Sequence, residues 1–352
     1  MTALGGAVWS FGSMIAARVG VGLGEAVCAP ASQSLIGDYF PPARRSRAMA
    51  LFMAGLPLGI FCAYLFAGAI AARFGWRVVL FAACAPGLLM AVLALRMQEP
   101  QRGATENHVG TQSTVTRTPF RDLARIPSLW WIVLSGATFN FHSYATNSFN
   151  TAFLMRYHGL DLQHATRISS VSLGLAGLVG LLIGGAFGDR VRAWRPNGRL
   201  LLAAAGFLVG APCAYVALQQ ARGNVTTYAV LLAVMTASTY IYYATVYSAI
   251  QDVVEPRLRG ASVALYFFAM YLFGAAFGPV IVGTMSDRMA TRAMHAAGAT
   301  VMADEFKAAG LHSAMYLIPI VLTATSLVLF AAARTIGADM ERMQARLAAS
   351  FK

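Results

Sequence analysis

The sequence predicts an all-α polytopic membrane protein, and three observations carry this prediction. Only 12% of the 352 residues are charged and 58% are hydrophobic, whereas a soluble protein of this length needs more charge to cover its surface. The apolar residues form long runs, many of which reach the roughly 20 residues that a helix needs to cross a bilayer. The basic residues behind the formal charge of +13 lie almost entirely between these runs, as the positive-inside rule expects.

Nine apolar runs predict about nine transmembrane helices, three before a polar, Thr-rich stretch and six after it. The predicted spans are residues 7–36, 48–72, 76–95, 129–155, 165–188, 200–218, 227–253, 261–285 and 314–333. The chain is therefore divided into a partial N-terminal bundle (1–97), a linker (98–126), a C-terminal six-helix bundle (127–336) and a tail (337–352).

Three connecting segments carry further expectations. Residues 1–6 are expected to form a ragged lead and residues 286–311 a mixed loop. In the tail, Met340, Met343, Leu347 and Phe351 recur at helical intervals, which fits a short amphipathic helix on the membrane surface and equally a solvated tail. The joints after spans one, three, five and seven hold, with the tail, most of the Lys and Arg residues. This asymmetry predicts a cytoplasmic C-terminus.

Composition and motifs also exclude several functions. No basic patch is interleaved with exposed aromatic residues, which argues against a nucleic-acid partner. The four cysteines lie within apolar runs and form no CxxC pair, so we interpret them as small buried side chains. No HExxH or GxSxG motif appears, so we expect neither catalytic residues nor a metal or cofactor.

Arg18 and Glu25 are the candidate site residues of the first half. Both lie in the first apolar run, where an ionisable residue is expensive and indicates a substrate, ion or proton path. Seven residues make nearly two helical turns, so both side chains face the same side, about 10.5 Å apart along the axis.

Polar and aromatic residues mark the candidate site of the second half. Asn140, His142 and Asn147 lie in the fourth span, and Tyr243 and Tyr247 lie in the seventh. The set favours a polar, aromatic cavity wall, although each residue taken singly is also explained by interhelical hydrogen bonding. The three polar residues of the fourth span do not share one narrow stripe, so we expect that not all of them face one cavity. Other polar or aromatic members of these spans and of the eighth are Thr146, Asn150, Tyr240, Tyr242, Gln251, Tyr266 and Tyr271.

The joint after the fifth span carries a recognisable motif. It reads Gly185-Ala-Phe-Gly-Asp189-Arg190 and is followed by Arg192, Arg195 and Arg199. We expect Gly185 to permit close helix approach, Asp189 to pair with a neighbouring helix end, and the arginines to anchor the loop at anionic headgroups. This pattern resembles the G-x-(L/F)-x-D-R motif of the major facilitator superfamily, where it would act in gating. Ordinary positive-inside charge is the alternative interpretation.

Residues 18–100 resemble the spinster-like branch of that superfamily more narrowly. The resemblance rests on RVGVGLGEAVCAPASQSLIGDYFPPARRSR, on FGWRVVLF and on the closing Glu99-Pro100. It implies a major facilitator-type helix bundle in a bacterial inner membrane and secondary transport of a small organic or amphiphilic solute. It also implies that Arg18 attracts an anionic group, that Glu25 exchanges a proton in the full-length form of such a carrier, whose first helix supplies the expected acidic partner, and that the protein is a lipid-embedded monomer.

The first half departs from the family pattern of six spans in each half. Its first span matches the fourth helix of that pattern, and residues 7–10 resemble a remnant of the third. We therefore expect the chain to lack the first two helices and most of the third, which leaves an incomplete first half and a complete six-helix second half. The alternative function is that of a non-transporting truncated fragment, or of a mis-started gene model.

Overall fold

The computed structural model describes residues 1–39, 42–97, 119–255 and 258–350, and every regular element in these ranges is a helix. The chain divides into two compact units, Met1–Gln112 and Ser113–Lys352. Seven helices within the described ranges are long and apolar enough to cross a membrane. The all-α polytopic prediction is confirmed, and the count of nine spans stays a prediction.

The first unit contains four helices: α1 (Thr2–Gly6), α2 (Phe11–Tyr39), α3 (Pro42–Phe74) and α4 (Trp76–Ala94). The side chain of Ser10 accepts a hydrogen bond from the Ser13 amide at 3.2 Å, so it caps the first turn of α2. Gly75 joins α3 to α4 with φ +81°, a conformation that glycine adopts without the steric cost of a Cβ.

Residues 1–6 differ from the ragged lead that the sequence predicted. They form α1, which packs against α4. A Cβ on Gly6 would lie 2.8 Å from the Phe81 ring and 3.0 Å from the Arg77 carbonyl oxygen, so glycine permits the close contact. The chain breaks before α2 begins at Phe11, because Ser10 caps a new helix there.

Within residues 119–255 and 258–350, the second unit contains ten α-helices and two π-helical segments. In chain order they are α5 (Pro119–Ala124), α6 (Pro127–Arg156), α7 (Leu162–Ser169), the first π segment (Ser170–Leu175), α8 (Ala176–Trp194), α9 (Gly198–Leu218), α10 (Val225–Val253), α11 (Arg259–Ala269), the second π segment (Met270–Ala276), α12 (Phe277–Ala296), α13 (Asp304–Met315) and α14 (Leu317–Ser350). Residues 98–118 of the predicted linker lie outside the described residues, so its boundaries stay a prediction.

Glycines bring the helices of the second unit close together around α10. A Cβ on Gly180 of α8 would overlap the Ala237 carbonyl, and one on Gly206 of α9 would overlap the Ser238 carbonyl. Small residues at such crossings let helix backbones approach closely in lipid. Of the largest fully buried side chains, all but Leu123 of α5 lie on α6, α9, α10 and α11, so the core of this unit surrounds α6 and α10.

The structure corrects the prediction of a mixed loop at residues 286–311. Most of this segment is helical, since α12 continues to Ala296 and α13 begins at Asp304. Alanine-rich sequence favours helix whatever its polarity. The two helices pack together, and Gly310 lies against the Ser286 carbonyl, where a Cβ would overlap it.

The tail also differs from both alternatives that the sequence left open. Residues 337–350 continue the helix of the last span without interruption, as part of α14. Asp339 is buried and accepts a hydrogen bond from the Ser128 amide at 2.9 Å. A carboxylate is stabilising at a helix N-terminus, so this contact fixes α14 against the start of α6.

Candidate functional site

The candidate site of the second unit lies where α6 and α10 meet the two π segments. Each π segment interrupts a long apolar helical element, between α7 and α8 and between α11 and α12. Single π-helical turns inside α-helices are frequent at functional sites. The first π segment contacts α10 and the second contacts α6.

A tyrosine cluster, defined as Tyr240, Tyr242, Tyr243, Tyr247 and Tyr266, forms the aromatic part of this region. The rings of Tyr243 and Tyr247 stack with centroids 5.9 Å apart, and Tyr247 meets Tyr266 edge to face at 5.4 Å. Tyr243 and Tyr247 are half-buried, whereas the other three rings are buried. The half-buried pair therefore presents the accessible face of the cluster.

The hydroxyl groups behind this face form a directed hydrogen-bond chain. Tyr266 donates to the Tyr242 hydroxyl at 2.9 Å, and Tyr242 and Ser135 share a hydrogen bond of 2.8 Å. The Ser135 hydroxyl donates its single proton to the Ile132 carbonyl at 2.7 Å. Because it has no second proton to donate, Tyr242 is the donor in its hydrogen bond with Ser135. The chain joins α11, α10 and α6 and satisfies each buried hydroxyl in turn.

His142 and Asn147 lie together on the wall of one small cavity between α6, α10 and the first π segment. His142 is buried, and Asn147 is half-buried and donates to the Ser143 carbonyl at 2.8 Å. Asn140 is not on this wall. Its Cβ packs under Gly274 of the second π segment. Of the three polar residues, His142 and Asn147 line this cavity and Asn140 does not; their role in a transport site stays a prediction.

Asn150 belongs to a separate, satisfied network. It donates to Ser169 at 2.8 Å and accepts from Tyr228 at 2.7 Å, which ties α6 to α7 and α10. It is fully buried, and we assign it to helix packing. The side chain of Gln251, named from the sequence, lies outside the part of the chain that the structure describes.

The motif after the fifth span ends in a charged cluster, defined as Asp189, Arg192, Arg199 and Asp252. Arg199 donates to Asp189 at 2.6 Å and to Asp252 at 2.8 Å. Arg192 donates to the same oxygen of Asp252 at 2.7 Å. The Asp252 side chain is 16% exposed and that of Asp189 is 82% exposed, so Asp252 is the buried centre of the cluster.

Asp252 is the site residue that the sequence reasoning missed. It lies at the end of an apolar span, and an acid there opposite a loop with several arginines was the available signal. Only the folded arrangement brings the end of α10 against the start of α9, because residues 199 and 252 are 53 positions apart.

Gly185 is placed differently from the expectation, whereas the expected role of Arg190 at the headgroups stays a prediction. Among the described residues, nothing lies within 4 Å of a Cβ built on Gly185, whereas one on Gly184 would lie 2.8 Å from the Ile241 carbonyl oxygen. Gly184 therefore makes the close approach that was expected of Gly185, because one residue along a helix turns the chain by about 100°. Arg190 lies 5.8 Å from the centroid of the Phe187 ring.

A histidine pair lies at the other end of α10. His158 accepts a hydrogen bond from the Gly223 amide at 3.3 Å, and His312 bonds the Leu218 carbonyl at 2.8 Å. The His312 ring stacks on Tyr157 with centroids 4.5 Å apart. Burial and the neighbouring His312 hold the pKa of His158 below its usual value, so the structure favours the neutral imidazole.

Arg18 and Glu25 lie in the first unit. Helix α2 is continuous over both residues, and both side chains are exposed. The helical spacing assumed from the sequence therefore applies, with about 10.5 Å of axial rise between them.

Comparison with known proteins identifies the family to which this chain is similar. The sequence profile of the Major Facilitator Superfamily matches residues 1–279. The chain is 31% identical to an MFS-type efflux pump of Mycolicibacterium smegmatis over 82% of its own length and 66% of the pump. It is 30% identical to mouse Protein spinster homolog 1 over 76% of its own length and 54% of that protein.

Two solved structures of a related protein match the fold of this chain. A bacterial homolog to the human lysosomal transporter Spinster, in its inward-facing and unoccupied conformation, matches with a TM-score of 0.82 and 26% identity, over 96% of this chain and 81% of that one. The inward-facing and occupied conformation matches with a TM-score of 0.77. The chain spans between about half and two thirds of the length of the curated relatives described above. By its profile, its relatives and its fold, the chain belongs to the Major Facilitator Superfamily, in the spinster-like branch.

Proposed function

We propose that the chain performs secondary transport of a small organic or amphiphilic solute. The observation that carries the proposal is the half-buried, stacked pair Tyr243 and Tyr247 of a spinster-like fold. The Tyr243 ring meets Phe139 of α6 with centroids 4.8 Å apart, and the Tyr247 hydroxyl donates to the sulfur of Met270 in the second π segment at 3.9 Å. Aromatic faces offer a large apolar contact area, and their hydroxyls offer hydrogen bonds at the ring edge. A solute with an apolar body and a polar end suits such a wall.

Asn147 is assigned to the polar lining beside this aromatic pair. It is half-buried on α6 and lies on the wall of the small cavity together with Tyr240, whose ring centroid is 5.4 Å from that of Tyr243. Its side-chain nitrogen donates to the Ser143 carbonyl at 2.8 Å, which holds the amide in place. Asn140 and His142 lie behind the surface, and we assign them to positioning the wall.

We assign proton coupling to Glu25 and anion attraction to Arg18. Both occur in an apolar helix of membrane length, where charged side chains mark ion or substrate paths. Rocking of two halves about a central site is the mechanism that such carriers use. The charged cluster of Asp189, Arg192, Arg199 and Asp252 would hold the ends of α8, α9 and α10 together in one state of that motion and act as a gate.

The proposed location is a bacterial inner membrane, with the C-terminus in the cytoplasm and the protein as a monomer. The positive-inside asymmetry supports this orientation. A reporter enzyme fused after Lys352 should be active on the cytoplasmic side. A reporter that is active only outside the cytoplasm would reverse the orientation and move the charged cluster to the other face.

Transport is tested with the purified chain in proteoliposomes. The probes are a fluorescent organic acid and a fluorescent single-chain amphiphile, driven by an imposed pH gradient. We expect saturable uptake that Tyr243→Ala reduces at least about tenfold, which corresponds to roughly 1.4 kcal/mol of lost binding. The matched control is Tyr215→Ala, because Tyr215 is an exposed ring of α9 whose neighbour is Tyr316. Equal losses in the two variants would overturn the aromatic wall.

Proton coupling is tested separately with Glu25→Gln, which removes the charge and keeps the shape. We expect uptake driven by the pH gradient to be lost while insertion and counterflow exchange of the probe persist. Uptake that is unchanged in Glu25→Gln would overturn the role of Glu25. Absence of any saturable uptake by the chain would favour the alternative of a non-transporting fragment.

A further inference from the structure

The cavity between α6, α10 and the first π segment is small and entirely uncharged. Its volume is about 10 Å³, which is close to the roughly 10–15 Å³ that one water molecule requires. Its polar wall consists of residues from two helices: His142, Ser143, Thr146 and Asn147 from α6, and Thr236, Thr239 and Tyr240 from α10. A cation would have no carboxylate on this wall to balance its desolvation.

Two buried polar atoms on this wall make no hydrogen bond of good geometry among the described residues, although the His142 ring lies beside the backbone carbonyls of Thr138 and Phe139 on its own helix. The two atoms are His142 Nδ1 and Thr146 Oγ1, and the two residues are 2% and 3% exposed. Positions four apart on a helix lie on one face, with Cβ atoms about 6 Å apart. One small molecule between them can therefore reach both atoms.

The opposite side of the cavity offers acceptors and no spare donor among its threonines. Thr236 donates to the Leu232 carbonyl at 2.9 Å, and Thr239 donates to the Met235 carbonyl at 3.0 Å. Each hydroxyl keeps a lone pair that can accept a further hydrogen bond. A molecule in the cavity therefore needs protons to give to α10 as well as the ability to bond the two groups of α6.

We propose that this cavity is a binding site for one ordered water molecule, which bridges His142 Nδ1 and Thr146 Oγ1 on α6 to a threonine hydroxyl on α10. A water molecule has the required size, and buried waters typically make about three hydrogen bonds to polar groups that are otherwise unsatisfied. The bridge fixes the orientation of the His142 ring and joins α6 to α10 beside the first π segment. It does not depend on transport, and it assigns His142 to the interior of the second unit.

The direction in which Thr146→Val changes the melting temperature distinguishes a cavity that holds a water molecule from an empty one. Thr146→Val keeps the shape and removes the hydroxyl. If a water bridges the two groups, the variant loses one partner and leaves His142 unsatisfied, so the melting temperature in detergent should fall by about 2–4 °C. If the hydroxyl is unsatisfied in a dry cavity, its removal is neutral or raises the melting temperature. The latter result would overturn the proposal.

The matched control is Thr325→Val on α14. Thr325 is fully buried, and its hydroxyl donates to the Val321 carbonyl of its own helix at 2.8 Å. We expect this variant to change the melting temperature less than Thr146→Val does. An equal fall in the two variants would mean that Thr146 makes only an ordinary intrahelical contribution, against the proposed bridge.

A direct measurement covers the case in which Thr146→Val does not fold. Water-edited solid-state NMR of the wild-type protein in lipid, with ¹⁵N-labelled histidine, detects magnetisation that passes from water to a ring. The His142 signal is assigned by its loss in His142→Gln. We expect transfer from a tightly held water to the His142 ring. No transfer to that ring would overturn the proposal, and this result takes precedence over the melting data.

Discussion

The guanidinium of Arg199 donates a hydrogen bond to the carboxylate of Asp252 at 2.8 Å, across 53 residues of sequence. Their side chains are only 15% and 16% exposed, so the pair is shielded from solvent at the ends of α9 and α10. Arg192 shares the same carboxylate oxygen. One acid therefore holds two cations from the segment that follows the fifth predicted span.

Asp252→Asn is expected to destabilise the second unit by about 1.5–3 kcal/mol, because hydrogen bonds to charged groups have this magnitude and both Arg192 and Arg199 lose a charged acceptor. Thermal unfolding in detergent measures the effect. The control is Asp189→Asn, which removes an exposed partner of the same arginine and should cost about 1 kcal/mol or less. A larger loss for Asp189→Asn would show that the cluster is centred on Asp189.

Tyr242→Phe tests the hydroxyl chain behind the tyrosine cluster. The variant keeps the stacking of ring 242 on Phe139, whose centroids are 4.4 Å apart, and leaves the donor of Tyr266 without its acceptor. We expect a loss of about 1–2 kcal/mol, since interhelical hydrogen bonds in membranes reach this size at most. Tyr215→Phe, on an exposed ring, is the control. No difference between the two variants would contradict the chain.

The neutral state of His158 predicts a pH dependence of stability. Because its pKa in the folded protein is held below the unfolded value of about 6.5, the unfolded state binds more protons as the pH falls. The stabilisation by neutral His158 is complete above that unfolded value and is lost as the pH falls through the lowered pKa. Protonation also turns Nδ1 into a donor, which breaks its hydrogen bond from Gly223.

Melting temperatures between pH 7.5 and 5 check this dependence. The wild type should lose stability towards low pH more steeply than His158→Asn, whose amide oxygen can still accept from Gly223. His295→Gln is the control, because it removes an exposed histidine near the end of α12 that does not belong to the histidine pair. If His158→Asn keeps the wild-type slope, another group is responsible.

Substitution by alanine should have opposite effects on the stability of the protein at two glycines of α8. Gly180→Ala places a Cβ on the Ala237 carbonyl, so α8 must move away from α10, at a cost of about 1–3 kcal/mol from overpacking. Gly185→Ala meets nothing within 4 Å among the described residues and should stabilise the helix by up to about 1 kcal/mol. Comparable losses of melting temperature in both variants would contradict this packing assignment.

The all-α membrane fold and the family could be predicted from the sequence, because hydropathy and the Asp189-Arg190 motif are local properties of the chain. The site could be read only in part. His142, Asn147, Tyr243 and Tyr247 were named, but whether each side chain faces a cavity depends on how its helix is rotated. Gly185 illustrates the limit, since its neighbour Gly184 carries the close contact with α10.

The sequence by itself determined that the chain is built from long apolar helices, and which of them carry polar and charged residues. Tertiary structure alone decided the pairings: Arg192 and Arg199 with Asp252, Tyr242 with Ser135, Asp339 with the start of α6. The physical reason is that the length and hydropathy of each apolar run determine which segments cross the membrane. Hydrogen bonds between helices depend instead on rotation and depth, which packing sets across many residues of sequence.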